Sequence, residues 1–76
     1  MPVTIYSTST CPFCKAAKSF FKEHKIKFKD IDVSKNKKAA EEAYKKSGVN
    51  AVPVIDINGI IIIGFDQNKI EKALKL

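Results

Sequence analysis

Two cysteines, Cys11 and Cys14, are the most reactive side chains of this sequence, and only two residues separate them. Pro12 and Phe13 lie between them, and Thr10 ends the polar stretch that precedes them. Thiols at this spacing can carry out thiol–disulfide exchange, in which one thiolate attacks a disulfide and the second thiol resolves the mixed disulfide. The four residues from Cys11 to Cys14 therefore form the candidate catalytic motif.

The position of Pro12 predicts which cysteine attacks. Proline is favoured at the first position of a helix, so a helix beginning there makes Cys11 its N-cap. An N-cap side chain accepts hydrogen bonds from the backbone N–H groups two and three residues on, and a helix N-terminus favours negative charge. Lys15 and Lys18 add positive charge nearby. We therefore expect Cys11 to be an exposed nucleophilic thiolate and Cys14 to be a less exposed resolving thiol.

Two other uses of the cysteine pair are weaker hypotheses. A structural disulfide between residues three apart closes a very short loop and constrains the unfolded chain little. A closed zinc site needs four ligands, and after the two cysteines the only other soft candidate is His24. No metal is therefore expected. A CxxC pair between a strand and a helix in a βαβ unit indicates a redox site instead.

The length and composition predict one small globular domain covering residues 1–76. The apolar fraction is 45%, which is ordinary for a globular chain. The sequence has no apolar run of about 18 residues, so no transmembrane helix is expected, and its start lacks the basic and apolar segments of a signal peptide. A reducing cytoplasm is the expected compartment, and there a cysteine pair is more often catalytic than structural.

The charge of the chain bears on its partners. The formal net charge is +6, and all 14 basic residues are lysines, spread along the chain rather than gathered in one tract. The sequence lacks arginine, which is the commonest direct reader of guanine edges, so no nucleic-acid partner is expected. The positive charge favours acidic protein partners or anionic thiols, with the protein acting as a monomer.

Hydrophobic periodicity predicts an α/β fold with the element order β-α-β-α-β-β-α. The predicted strands cover residues 3–6, 26–29, 53–57 and 60–63, and the predicted helices cover residues 12–24, residues 35–47 and a last segment capped by Asp66. Asn58 and Gly59 between two apolar runs predict a β-hairpin. A parallel crossover through the first helix then gives a four-stranded mixed sheet flanked by three helices.

Two details of this pattern are less regular. Ile31 and Val33 are out of phase with Ile26 and Phe28, which predicts that the second strand ends or carries a bulge near this point. The four consecutive isoleucines of the fourth strand predict a strand that is covered on both faces, because one that faces solvent on one side alternates apolar and polar residues.

Three short motifs resemble, in the same order, those of the glutaredoxin branch of the thioredoxin fold. They are Cys11-Pro12-Phe13-Cys14, Val52-Pro53 before the hairpin, and Gly64-Phe65-Asp66 before the last helix. The resemblance spans nearly the whole chain, which looks most similar to small bacterial glutaredoxin-like proteins. It implies a thioredoxin-like fold and a thiol–disulfide oxidoreductase with no bound cofactor and with glutathione as co-substrate.

The resemblance also implies where a substrate binds. It implies that the Val52–Pro53 peptide bond is cis and lies beside the cysteine pair. The backbone N–H and C=O of Val52 would then point outward and pair with the backbone of a bound thiol peptide, as a short β-augmentation. We include Thr10, which directly precedes the first cysteine, among the expected substrate-binding residues.

The segment Gly64-Phe65-Asp66 matches the family segment that holds the γ-glutamyl end of glutathione. Free N–H groups at a helix N-terminus suit a carboxylate, and the side chain of Asp66 suits an ammonium group. The alternative is that Asp66 serves as a plain helix cap, and both roles are compatible.

Several positions depart from the pattern of glutathione-using members. Thr8 stands where many of them carry a lysine, and Ala51 stands where threonine is common. Phe13 keeps the ring of the usual tyrosine but lacks its hydroxyl. Ile63 and Gln67 replace one glycine and one aspartate of the usual Gly-Gly-x-Asp-Asp segment. A related branch is reduced by thioredoxin reductase and serves ribonucleotide reductase, and the glycine–phenylalanine pair of this chain resembles that branch.

The leading hypothesis is a dithiol–disulfide oxidoreductase that reduces protein disulfides or glutathione mixed disulfides and is recharged by glutathione. The first alternative is the same chemistry recharged by thioredoxin reductase. A second alternative is a homodimer that binds an iron–sulfur cluster through Cys11 and glutathione. A third is a basic interaction domain without enzymatic activity.

Overall fold

The sheet of this protein has four strands and is flanked by three helices, in the order that the sequence predicts. The structure is a computed structural model that describes residues 2–75. Its elements are β1 (Val3–Ser7), α1 (Pro12–Glu23), β2 (Lys29–Asp32), α2 (Lys37–Ser47), β3 (Val54–Ile57), β4 (Ile60–Ile63) and α3 (Gln67–Leu74).

The strand order in the sheet is β2-β1-β3-β4. β1 pairs with β2 in parallel, across the crossover that contains α1, and pairs antiparallel with β3. β3 and β4 form the antiparallel hairpin predicted from Asn58 and Gly59, which adopt φ angles of 49° and 93°. The mixed sheet is therefore as expected, with β1 and β3 at its centre and with β1 leading into the loop that carries the first cysteine.

The hydrophobic core lies in two layers, one on each face of the sheet. The larger layer joins the sheet to α1 and α3, with Phe21 and Ile70 fully buried in it. The smaller layer packs α2 against the other face through Ala39 and Ala43. Burial on both faces fixes the sheet and holds the N-terminus of α1 at the end of β1.

The position of β2 corrects the sequence prediction. The strand runs over Lys29–Asp32 rather than residues 26–29. Ile26 and Phe28 pack against the layer formed with α1 and α3, whereas Ile31 and Val33 pack against the α2 layer. The chain thus passes from one face of the sheet to the other at its edge, which explains the change of hydrophobic phase.

The isoleucine run also differs in part from its prediction. β4 lies at an edge of the sheet, and both faces are covered only at its centre. Ile62 packs into one core layer and Ile61 against the other. Ile60 and Ile63 at the two ends remain 51% and 48% exposed. An uninterrupted apolar run therefore did not mark a fully covered strand.

Candidate active site

The N-terminus of α1 positions the first cysteine. Cys11 is the N-cap of the helix, with extended backbone angles, and Pro12 occupies the first turn, as predicted. The backbone N–H of Cys14 donates a hydrogen bond of 3.2 Å to Sγ of Cys11. Of the two expected backbone donors, this is the one found among the described hydrogen bonds. Cys11 is partly exposed, so its sulfur is accessible at the N-terminus of the helix.

The second cysteine has a different environment. Cys14 is fully buried, and this burial, followed by its hydrogen bond with Cys11, raises the pKa of its thiol to about 11. The charge of Lys18 acts in the opposite direction. The expected difference in exposure between the two thiols is confirmed. At neutral pH the buried thiol keeps its proton, while the sulfur of Cys11 meets a hydrogen-bond donor.

The Val52–Pro53 segment lies directly beside this pair. The peptide bond is cis, as the family resemblance implied. Sγ of Cys11 donates a long hydrogen bond of 3.9 Å to the carbonyl oxygen of Val52. The carbonyl oxygen of Pro53 accepts a 2.8 Å hydrogen bond from the backbone N–H of Gly64. These contacts bring the three motifs of the sequence together at one end of the sheet, where β1 and β4 end and β3 begins.

A groove of about 720 Å³ opens next to the cysteine pair. Its lining residues are Phe13, Val52, Pro53, Ile63, Gly64, Phe65, Asp66, Gln67 and Asn68. Phe13 is 65% exposed, and its ring forms one wall. Six of these nine residues were expected from the sequence, whereas Ile63, Gln67 and Asn68 were not expected to line a site. For Ile63 and Gln67 the signal was their place in the segment that matches the family's Gly-Gly-x-Asp-Asp, and for Asn68 it was only the nearness of Asp66.

The first turn of α3 closes one end of the groove. Asp66 is the N-cap, as predicted, and its carboxylate accepts a 3.2 Å hydrogen bond from the backbone N–H of Lys69. The second carboxylate oxygen lies 4.0 Å from Nζ of the same lysine. The Asp66 carboxylate therefore already has a partner for each of its oxygens, which fits the helix-cap interpretation.

Two of the residues near the motif lie outside this groove. Thr10, expected to bind substrate, is exposed and is not among the lining residues. Thr8 accepts a 3.4 Å hydrogen bond at its carbonyl oxygen from the backbone N–H of Cys11, so it shapes the loop through its backbone. The one charged side chain among the residues lining the groove is Asp66. The groove is thus lined by apolar side chains together with polar amide and backbone groups.

Within residues 2–75, no three His, Cys, Asp or Glu side chains cluster closely enough to hold a metal ion. No helix in this part of the chain has both the length and the apolar character needed to cross a bilayer.

Comparison with known proteins gives one consistent result. The glutaredoxin family model matches residues 3–62. An uncharacterized glutaredoxin-like 8.6 kDa protein in a rubredoxin operon of Clostridium pasteurianum is 42% identical over 73 residues, covering 96% of this chain and 97% of the relative.

Two solved structures have closely similar backbones. A glutaredoxin from Archaeoglobus fulgidus superposes with a TM-score of 0.89 at 29% identity, over 97% of this chain and 86% of the other. NrdH-redoxin from Escherichia coli, a glutaredoxin-like protein with a thioredoxin-like activity profile, superposes with a TM-score of 0.84 at 28% identity, over 95% and 93% of the two chains. These similarities confirm the expected thioredoxin-like fold.

Proposed function

Because this chain belongs to the glutaredoxin family of thiol–disulfide oxidoreductases, we propose that it reduces disulfides with Cys11 as nucleophile and Cys14 as resolving thiol. One observation carries the assignment. The sulfur of Cys11 is accessible at a helix N-terminus and accepts a backbone hydrogen bond, whereas Cys14 is fully buried. Only the first sulfur is accessible to a large substrate.

In the first step, the Cys11 thiolate attacks one sulfur of a target disulfide. A bond forms between this sulfur and Sγ of Cys11, the target S–S bond breaks, and the second target sulfur leaves as a thiolate that takes a proton from water. The protein and its target are then joined by a mixed disulfide. The exposed ring of Phe13 and the groove beside it provide a surface against which the attached partner can pack.

In the second step, Cys14 loses its proton to solvent and attacks Sγ of Cys11. The mixed disulfide breaks, the target leaves as a dithiol, and a Cys11–Cys14 disulfide remains, so two electrons have passed to the target. The backbone of Val52 guides the partner during both steps, since its carbonyl oxygen lies 3.9 Å from the attacking sulfur. An extended peptide attached at Cys11 would run alongside this backbone and pair with it.

We propose that a thioredoxin reductase reduces the oxidised cysteine pair, and we rank glutathione as the second candidate reductant. Glutathione carries two carboxylates and one ammonium group, whereas the groove lining offers one carboxylate and no lysine. Thr8 supplies no charge at the position where many glutathione-using members carry a lysine. A protein reductase needs no charged subsites of this kind, and the net charge of +6 suits an acidic partner surface.

Glutathione is the second candidate because one observation favours it. The segment from Gly64 to Asp66 lines the groove together with Phe13 and Val52, as the family resemblance implied. The N–H groups of the first turn of α3 would meet a γ-glutamyl carboxylate there. Both kinds of reductant occur in a reducing cytoplasm.

Parallel coupled assays decide between the two reductants. Consumption of NADPH would be followed with a small disulfide substrate, once with a bacterial thioredoxin reductase and once with glutathione and glutathione reductase. We expect turnover with thioredoxin reductase and little with glutathione, and Cys11→Ser serves as the control that abolishes both. Turnover only with glutathione would reverse the order of the candidates. Absence of turnover in both assays would contradict the oxidoreductase mechanism.

A further inference from the structure

A charged pair lies one helical turn beyond the resolving cysteine. Lys18 follows Cys14 by four residues on α1, which places both side chains on the same face of the helix. Its Nζ lies 2.7 Å from Oδ2 of Asp30 on β2. The other carboxylate oxygen of Asp30 accepts a 2.7 Å hydrogen bond from Oγ of Ser7, which is only 1% exposed on β1. Both oxygens of Asp30 are therefore held, and with them the position of the lysine.

This arrangement addresses a difficulty of the second step. Cys14 must become a thiolate in order to attack, but it is fully buried, and burial opposes its ionisation. The ammonium group of Lys18 is the positive charge that favours the ionised form of Cys14. Its side chain is 24% exposed, so solvent screens it only in part.

We propose that Lys18, positioned by Asp30 and Ser7, stabilises the Cys14 thiolate in the resolving step. This inference rests on the proposed roles of the two cysteines. Lys18 acts electrostatically on the reacting sulfur, whereas Asp30 and Ser7 are positioning residues that act through Lys18. The ammonium group neither gives up nor accepts a proton in this step, and the Cys14 proton goes to solvent.

The effect is specific to the second step because the charge on Cys11 changes. In the reduced protein, Cys11 opposes ionisation of Cys14 through their hydrogen bond and through its charge. Once Cys11 is part of a mixed disulfide, it carries no charge and this opposition ends. Burial of Cys14 then remains, and Lys18 offsets part of it. The network therefore favours resolution after the target has been captured.

Among the described residues, few other charged or polar groups face Lys18 and Cys14. Asp30 and Asp32 face Lys18 from β2. The pKa of Asp32 is lowered mainly by its hydrogen bonds from Ser34, and in smaller part by the charges of Lys35 and Lys18. On the side of β1, the loop backbone at Thr8 contributes a hydrogen bond that favours the Cys14 thiolate.

The test separates the two steps by stopped-flow absorbance. Reduced protein is mixed with dithiobis(nitrobenzoate), which releases one coloured thiolate when Cys11 attacks and a second when Cys14 resolves. Both rates are measured across a pH series for the wild type and for Lys18→Met, Lys18→Arg and Asp30→Asn. Lys22→Met is the matched control, since it removes the same charge from the same helix one turn further from the cysteines.

We expect Lys18→Met to slow the second phase by about threefold to tenfold near neutral pH, which is the effect expected when one partly screened charge is removed. The variant should also move the pH midpoint of the second phase upward. Lys18→Arg should keep the wild-type profile, and Asp30→Asn should shift it in the same direction but less. Lys18→Met should change the first phase less than the second, and the Lys22→Met profile should match the wild type in both phases. A second phase of Lys18→Met that overlays the wild type at every pH would overturn the inference. Lack of a second phase in the wild type would instead contradict the proposed function.

Discussion

The backbone N–H of Cys14 lies 3.2 Å from the sulfur of Cys11 and donates a hydrogen bond to it. One residue thus has two separate roles in the pair. Its backbone N–H donates a hydrogen bond to the neighbouring sulfur, while its own side chain is withdrawn from solvent and has a raised pKa. The two thiols therefore differ in accessibility, and we expect them to differ in reactivity.

The buried thiol of Cys14 should make the reduced protein less stable in alkali. Its folded pKa of about 11 lies above the ordinary value of 9.0. The contribution of this thiol to the free energy of unfolding is therefore fully present below pH 9.0 and is lost as the pH rises toward 11, because the unfolded state releases the proton first. We expect a loss of about 2 kcal/mol in the free energy of unfolding from this group.

Urea unfolding at a series of alkaline pH values, with a phosphine reductant present, measures this loss. Lysine titration contributes as well, so the wild type is compared with Cys14→Ala, which retains the lysines. The stability of the wild type should fall more steeply than that of the variant across this range. Parallel curves for the two proteins would contradict the proposed effect of burial.

A second prediction concerns Lys46, which joins α2 to the sheet. Its Nζ donates hydrogen bonds to Oη of the buried Tyr6 at 3.0 Å and to Oδ2 of Asp56 at 2.8 Å. Lys46→Met should lower the free energy of unfolding by about 1 to 2 kcal/mol, since two hydrogen bonds are lost but the pair is partly exposed. Urea unfolding tests this, with the exposed neighbour Lys45→Met as a control expected to have little effect.

The contact between Lys46 and Asp56 also predicts that the stability of the protein depends on pH in the acidic range. Burial pushes the pKa of Asp56 upward, but the hydrogen bonds from Lys46 and from the backbone N–H of Gly59 outweigh it and hold the pKa below its ordinary 3.8. A carboxylate with a lowered folded pKa stabilises the protein above its ordinary value, and this contribution disappears as the pH falls through the folded value. The stability difference between wild type and Lys46→Met should therefore shrink below about pH 4. A difference that stays constant down to lower pH would contradict this account.

Much of the fold was predictable because its signals are local. Pro12 marked the start of α1, and Asn58-Gly59 marked the hairpin, since each constrains its own backbone angles. The position of β2 was not predictable in this way. The chain changes faces of the sheet between Phe28 and Ile31, and the packing on the two faces decides where pairing begins.

The candidate site was predictable in part for the same reason. The cysteine pair follows from its spacing, and the cis Val52–Pro53 bond was expected only from the family resemblance. The Ser7–Asp30 and Tyr6–Lys46 contacts join residues that are 23 and 40 positions apart. No local pattern reports such pairs, because they form only once the helices are packed on the sheet.

A third prediction separates two roles of Asp66. Asp66→Asn retains an amide oxygen that can cap α3, whereas Asp66→Ala removes the cap and should cost about 1 kcal/mol of stability. We expect recharging by a reductase, which would not need this charge, so Asp66→Asn should keep the rate in the thioredoxin reductase assay within about twofold of wild type. A large increase in KM for a glutathione mixed disulfide in Asp66→Asn would indicate recognition of the glutathione ammonium group instead.

The most direct test of the assigned thiol roles is intact-protein mass spectrometry of mixed disulfides trapped with a disulfide-bearing peptide. Cys14→Ser should accumulate a covalent adduct at Cys11, because the resolving thiol is missing. Cys11→Ser should accumulate almost none, because the remaining thiol is buried, and the wild type should end as the intramolecular disulfide with the peptide released. A stable adduct on Cys14 in Cys11→Ser, formed as fast as the adduct on Cys11, would contradict the assignment.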